Sequence, residues 1–118
     1  MSIKKLLQSF KFAGEGLVMI FKREQNFKIE TIIGAVVLIL MFLLKTTTFD
    51  TIILLMLIAS VLTMEILNTV LEHMLDLESK RKNKKFKFLK DVMAGAVLIN
   101  ALTALIIGLI IFIPYFFE

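Results

Sequence analysis

Residues 63 to 76 read T-M-E-I-L-N-T-V-L-E-H-M-L-D, continuing a thirteen-residue run, Ile52 to Met64, that carries no charge and only one Ser and one Thr. An unbroken apolar run of this kind specifies a helix that is surrounded by lipid or protein, not water. Into it are set Glu65, Asn68, Glu72 and Asp76, at offsets of three, seven and eleven residues. At ~100° per residue all four share one face, within about 80°. Three carboxylates on one stripe of a lipid-compatible helix are costly, and ionisable residues at such positions mark function by default.

The rest of the chain supports a membrane setting. At 118 residues it is one domain, and its 58% hydrophobic content exceeds the ~45–50% of soluble chains. The mean hydropathy is +0.89. One Pro and five Gly leave little room for long irregular loops, and the absence of Cys excludes disulfides and thiolate metal sites. Six cations (Lys4, Lys5, Lys11, Lys22, Arg23, Lys28) precede the first long apolar run and seven (Lys80, Arg81, Lys82, Lys84, Lys85, Lys87, Lys90) lie between the second and third. Lys45 alone lies between the first and second. The positive-inside rule then puts the N-terminus and second loop in the cytoplasm and the C-terminus outside. Basic clusters also suit nucleic acid, but little non-membrane mass exists to present one, so no nucleic-acid partner is expected. The N-terminal basic stretch leads into polar residues, so no cleavable signal peptide is expected.

Taken in order, residues 1–24 predict an amphipathic helix lying in the interface, with Ile3, Leu6, Leu7, Phe10, Ala13, Leu17, Ile20 and Phe21 on one face. A first membrane helix is expected over 27–45, a tight external turn follows, and a second helix covers 51–76. Counted from Asp50 at ~1.5 Å per residue, Glu65 lies ~22 Å in and Glu72 about 33 Å, so Glu65 is inside the hydrocarbon and Glu72 and Asp76 are at its cytoplasmic edge. Residues 77–87 read as a cytoplasmic basic linker suited to anionic lipid or to nucleotide phosphates. The third helix is expected over 88–113, stopped by Pro114, with Asn100 making an interhelical hydrogen bond and Tyr115-Phe116-Phe117 as an interfacial anchor. His73 reads as an interfacial residue pointing away from the acidic stripe.

With one His and no Cys, soft metal ligation fails, and neither a G-x-x-x-x-G-K-[ST] loop nor a protein-kinase glycine loop with H-R-D is present. What remains is Glu24, Glu72 and Asp76, hard oxygen ligands at a basic interface, which suit Mg²⁺ carrying a polyphosphate. Glu65, desolvated below them, suits a general base for a hydroxyl that belongs to something living in the membrane. Together these point to phosphoryl transfer onto a lipid. The structural alternative is that the carboxylates pair with Lys90, Lys28 or Arg23 to lock the bundle.

Glu65-Ile66-Leu67-Asn68-Thr69-Val70-Leu71-Glu72-His73-Met74-Leu75-Asp76, followed by Lys90-Asp91-Val92-Met93-Ala94-Gly95-Ala96-Val97-Leu98, resembles the prokaryotic diacylglycerol kinase family, which includes undecaprenol kinases. The family pattern is E-x-x-N-[ST]-x-x-E-x-x-x-D, then K-D-x-x-[AS]-[AG]-A-V-L about fourteen residues after the Asp, and the spacing here matches. Gly16-Leu17 and Glu24-Gln25-Asn26-Phe27-Lys28-Ile29-Glu30 fall where the family has G-[LI] and an E-x-x-[FM]-[RK]-x-E-like stretch. Val70 stands where the family usually has Ala or Ser, and residues 80–87 lack the Tyr-His and Gly of many relatives.

The resemblance implies an all-α integral membrane fold, an interfacial helix plus three transmembrane helices, assembled as a homotrimer with active sites shared between protomers. It implies a lipid kinase in the bacterial inner membrane that converts diacylglycerol to phosphatidic acid, or undecaprenol to its phosphate, using ATP and Mg²⁺. By position, Glu65 is the catalytic base, Asn68 orients the reacting groups, and Glu24 and Glu72 hold Mg²⁺. Asp76, Lys90, Asp91 and Lys5 would contact ATP together with Glu24 and Glu72, and Glu30 and Glu65 would contact the lipid. Glu30 favours diacylglycerol, because undecaprenol kinases often have His there. A reading of another class is a non-enzymatic membrane subunit or ion pathway whose carboxylates serve assembly or cation transfer.

Overall fold

A computed structural model describes residues 2–78 and 84–117. It contains four helices: α1 (Ile3–Arg23), α2 (Gln25–Leu44), α3 (Thr48–Glu78) and α4 (Lys84–Phe116). Three of them, α2, α3 and α4, are long and apolar enough to cross a membrane, and the chain is a multi-pass membrane protein. At ~1.5 Å per residue α2 is about as long as the ~30 Å hydrocarbon core is thick, whereas α3 and α4 exceed it. Their surplus lies at one end, where Glu72, Asp76, Lys90 and Asp91 reside.

Ser2 starts α1 by accepting a hydrogen bond from the Lys5 N–H at 3.2 Å, and no residue of this helix is buried. Between α1 and α2 a single residue, Glu24, leaves helical geometry (φ −104°, ψ 113°). Its N–H still bonds to the Ile20 carbonyl and its carbonyl still accepts from the Lys28 N–H, so the chain bends without losing those bonds.

Helix α2 buries Phe27, Gly34 and Met41, a seven-residue repeat that keeps one stripe against α3. Gly34 allows the close approach, since a Cβ there would stand 3.1 Å from Ile58 Cγ2. Helix α3 packs between α2 and α4. Met41, Leu54 and Ile111 form its core contact, flanked by Val37, Leu57, Ile107 and Phe112. Deeper along the bundle Asn100 Nδ2 donates to Ser60 Oγ at 2.6 Å, the interhelical bond expected of an Asn in an apolar helix.

The far end is closed by a polar clasp. Lys45 takes a left-handed conformation (φ 52°, ψ 57°) that ends α2. Thr47 Oγ1 caps α3 by accepting from the Asp50 N–H at 3.1 Å, so the helix begins at Thr48, three residues before the expected Thr51. The Tyr115 hydroxyl donates to Asp50 Oδ2 at 2.7 Å and accepts from the Thr47 N–H at 3.0 Å. Tyr115 thus ties α4 to the α2–α3 turn rather than serving only as an aromatic anchor. Tyr115→Phe removes both bonds, and thermal unfolding in detergent should show a loss of about 1–2 kcal/mol.

Other bounds also differ from expectation. Helix α2 begins at Gln25 and α3 runs on to Glu78. Helix α4 starts at Lys84 rather than at 88, because Lys84, Lys85, Phe86 and Lys87 include no helix breaker and Lys87 pairs with Asp91 one turn on. It also passes Pro114 and ends at Phe116, because a Pro in the last turn removes only one terminal bond. Lys80, Arg81 and Lys82 of the basic linker lie outside the described residues.

Candidate functional site

The acidic stripe on α3 is graded by depth. Glu65 is only 4% exposed and is the single buried charged residue among those described. Asn68 is half-buried, and Glu72 and Asp76 are exposed. The face that buries Leu54 returns at Glu65, eleven residues or about three turns later, whereas Glu72 and Asp76 lie in the last two turns of α3.

The partners of these side chains separate into two groups. Asp76 is neutralised across the helices by Lys90 Nζ at 3.0 Å, and Asp91 by Lys87 Nζ at 2.7 Å. Of the nucleotide-site candidates, Asp76 and Lys90 therefore meet at the junction of α3 and α4, while Asp91 follows Lys90 on α4 and pairs along its own helix. By contrast, no cation pairs with Glu65, Glu30 or Glu72 among the described residues. Lys28, a candidate partner, instead stands over the Phe21 ring at 5.7 Å. Of the bundle-locking pairs expected as the structural alternative, only that between Lys90 and Asp76 forms among the described residues.

Among the described residues, the charges that bear on Glu65 are those of carboxylates. Glu24 and Glu72 both lie close enough for their charges to act on it, and Glu65 acts in turn on Glu30. Asn68 Nδ2 donates to Glu72 Oε1 at 3.4 Å, holding that carboxylate one helical turn away. Glu24 arrives from the bend between α1 and α2 and meets His73 Nε2 at 3.4 Å through Oε1. His73 therefore faces a site carboxylate, not away from the acidic residues. The position beside Glu72 held the clue, but its partner lies at the α1–α2 bend, where no local spacing points.

Four carboxylates gathered from α2, α3 and the α1–α2 bend, with little compensation, form a site that attracts cations. No three His, Asp or Glu side chains stand close enough to enclose a metal among the described residues. Mg²⁺ carried by a nucleotide uses only one or two protein carboxylates and completes its shell with phosphate oxygens and water. Glu24 and Glu72 are the hard oxygen donors able to supply those contacts. Lys5 is not brought to the site: it lies in the first turn of α1, roughly 28 Å along the helix from Glu24.

Below the carboxylates a groove of about 430 Å³ runs between α2, α3 and α4. Gly34, Ala101, Ala104 and Gly108 open it, Leu54 and Phe112 line it, and Glu30 is its charged wall residue. The buried Oε2 of Glu30 has no hydrogen-bond partner among the described residues. The arrangement is an open apolar groove with one carboxylate, Glu30, in its wall.

Comparison with known proteins agrees with this arrangement. The family described as prokaryotic diacylglycerol kinase matches residues 11–112. The chain is 35% identical over 112 residues to an undecaprenol kinase of Bacillus subtilis (strain 168), covering 95% of this chain and 91% of that one. It is 34% identical over 110 residues to a diacylglycerol kinase of Synechocystis sp. (strain ATCC 27184 / PCC 6803 / Kazusa), covering 92% of this chain and 63% of the relative. No solved structure matches significantly. The matched residues include the α3 stripe, the Glu24 bend and the start of α4, and the chain belongs to the prokaryotic diacylglycerol kinase family.

Proposed function

We propose that this lipid kinase transfers the γ-phosphoryl group of ATP to the hydroxyl of a membrane lipid, with diacylglycerol converted to phosphatidic acid as the first reading. The observation that carries it is Glu65: a buried carboxylate, unpaired among the described residues, on the same helix as the exposed Glu72 and Asp76, with the apolar groove walled by Glu30 beside it in the bundle.

The lipid hydroxyl lies at Glu65 with its chains along the α2–α3–α4 groove. Glu65 takes the hydroxyl proton as the oxygen attacks the γ-phosphorus, the new O–P bond forms, and the bond to the bridging oxygen breaks to leave ADP. Mg²⁺, when bound, draws charge from the phosphate oxygens. Glu24 and Glu72 would hold it, and Asn68 would orient Glu72 and the reacting groups. Lys90, released from Asp76, meets the phosphates, while Asp76 and Asp91 contact the rest of the nucleotide. Lys5 reaches that nucleotide only by a movement of α1 or from another protomer.

The chain assembles as a homotrimer with sites shared between protomers, which supplies the ligands that one protomer lacks. Helix α1 lies along the cytoplasmic interface, its lysines toward anionic headgroups, and the C-terminus is outside the cell.

A second reading, undecaprenol as the acceptor, is favoured by the likeness to the Bacillus subtilis undecaprenol kinase over nearly the full length of both chains. Purified protein with ATP–Mg²⁺ and both lipids side by side distinguishes the two. The first reading expects faster phosphorylation of diacylglycerol and a Glu30→Ala variant with a KM for that lipid raised about tenfold. Preference for undecaprenol, with no effect of Glu30→Ala on diacylglycerol, overturns it in favour of the second. Turnover of neither lipid leaves the non-enzymatic membrane subunit.

A further inference from the structure

Glu24 occupies the N-cap position of α2, where a carboxylate ordinarily accepts a hydrogen bond from a backbone N–H of the first turn. It makes no such side-chain bond. Lys22, Arg23 and Lys28 are its near neighbours in sequence, yet none pairs with it among the described residues. The side chain is turned instead across to α3, where His73 Nε2 stands 3.4 Å from Oε1. Glu24 is half-buried, with a side-chain exposure of 31%, whereas His73 is 65% exposed and packs little. The contact thus sets the direction of Glu24 and contributes little burial.

A lysine in this place would neutralise Glu24 and compete with a cation. An imidazole N–H reaches one carboxylate oxygen and leaves the second oxygen free for a cation. His73 directly follows Glu72 on α3, so one short segment carries a carboxylate and the group that aims another. We infer that His73 is a positioning residue that orients Glu24 toward the divalent cation of the nucleotide. The inference rests on the reading of Glu24 as a cation ligand, and it adds a residue to which the comparisons assign no role.

The test uses the full chain in detergent with a non-hydrolysable ATP analogue and Mn²⁺ as a paramagnetic stand-in for Mg²⁺, its binding read by electron paramagnetic resonance. His73→Ala should weaken Mn²⁺ binding about 10–100-fold, the range typical of losing a group that orients a metal ligand. His73→Gln, which retains an N–H donor, should restore most of it. In turnover, His73→Ala should raise the Mg²⁺ concentration for half-maximal activity and leave the lipid KM unchanged. Wild-type Mn²⁺ affinity in His73→Ala, with Glu24→Ala weakened, overturns the role of His73 alone. Wild-type affinity in Glu24→Ala as well overturns the ligand reading itself. Equal weakening by Ala and Gln overturns the hydrogen-bond role.

Discussion

Glu65→Gln should lower lipid phosphorylation by about 10²–10⁴-fold, the contribution of a positioned general base, while the protein keeps its helices and its thermal stability. The substitution preserves volume and hydrogen-bonding reach but cannot take up the hydroxyl proton. The stability expectation follows from the surroundings. Glu65 is buried, no cation pairs with it among the described residues, and Glu24 and Glu72 add like charge nearby. The change breaks no ion pair and keeps the side-chain volume, so melting in detergent should occur at about the wild-type temperature. A bundle-locking carboxylate behaves in the opposite way: its loss lowers the melting temperature, and activity falls only with the fold.

Glu72→Ala should reduce activity by about 10²–10³-fold at low millimolar Mg²⁺, comparable to losing one group that stabilises transferring charge. Part of that loss should be recovered as Mg²⁺ is raised, because the phosphates still carry the ion and only one protein oxygen is gone. Glu65→Gln should show no such recovery, since its defect lies in the proton and not in the cation. Mg²⁺ titrations of the two variants in one lipid assay separate the two roles. Identical Mg²⁺ responses would remove the distinction between a base within the span and a ligand at its edge. Asn68 is expected to follow Glu72 in this behaviour, because its amide holds Glu72 Oε1.

The parts of this structure that were legible beforehand are those set by local period. Three helices long enough to span follow from uninterrupted apolar runs, and the α3 stripe follows from offsets near multiples of 3.6. The graded exposure from Glu65 to Asp76 follows the same arithmetic of rise per residue. Helix ends were less legible. The cap at Thr47 depends on which of three consecutive threonines turns its hydroxyl to a backbone N–H. Passage through Pro114 depends on how few bonds remain beyond it. Contacts between distant segments were hidden altogether. His73 stands one residue, or ~100°, beyond Glu72 on its helix, and only the bend at Glu24 brings the two together. The Tyr115 clasp likewise joins residues sixty-five positions apart. Neither the period nor the composition of a segment encodes which other segment it meets.

The most direct measurement is transfer of radiolabel from γ-³²P-ATP to lipid by the purified protein, wild type against Glu65→Gln, with diacylglycerol and undecaprenol each supplied in mixed micelles with Mg²⁺. Labelled lipid from the wild type and background label from Glu65→Gln is the expected result. Label at the wild-type rate in Glu65→Gln, or none in either lipid from the wild type, would contradict a kinase whose base is the buried carboxylate of α3.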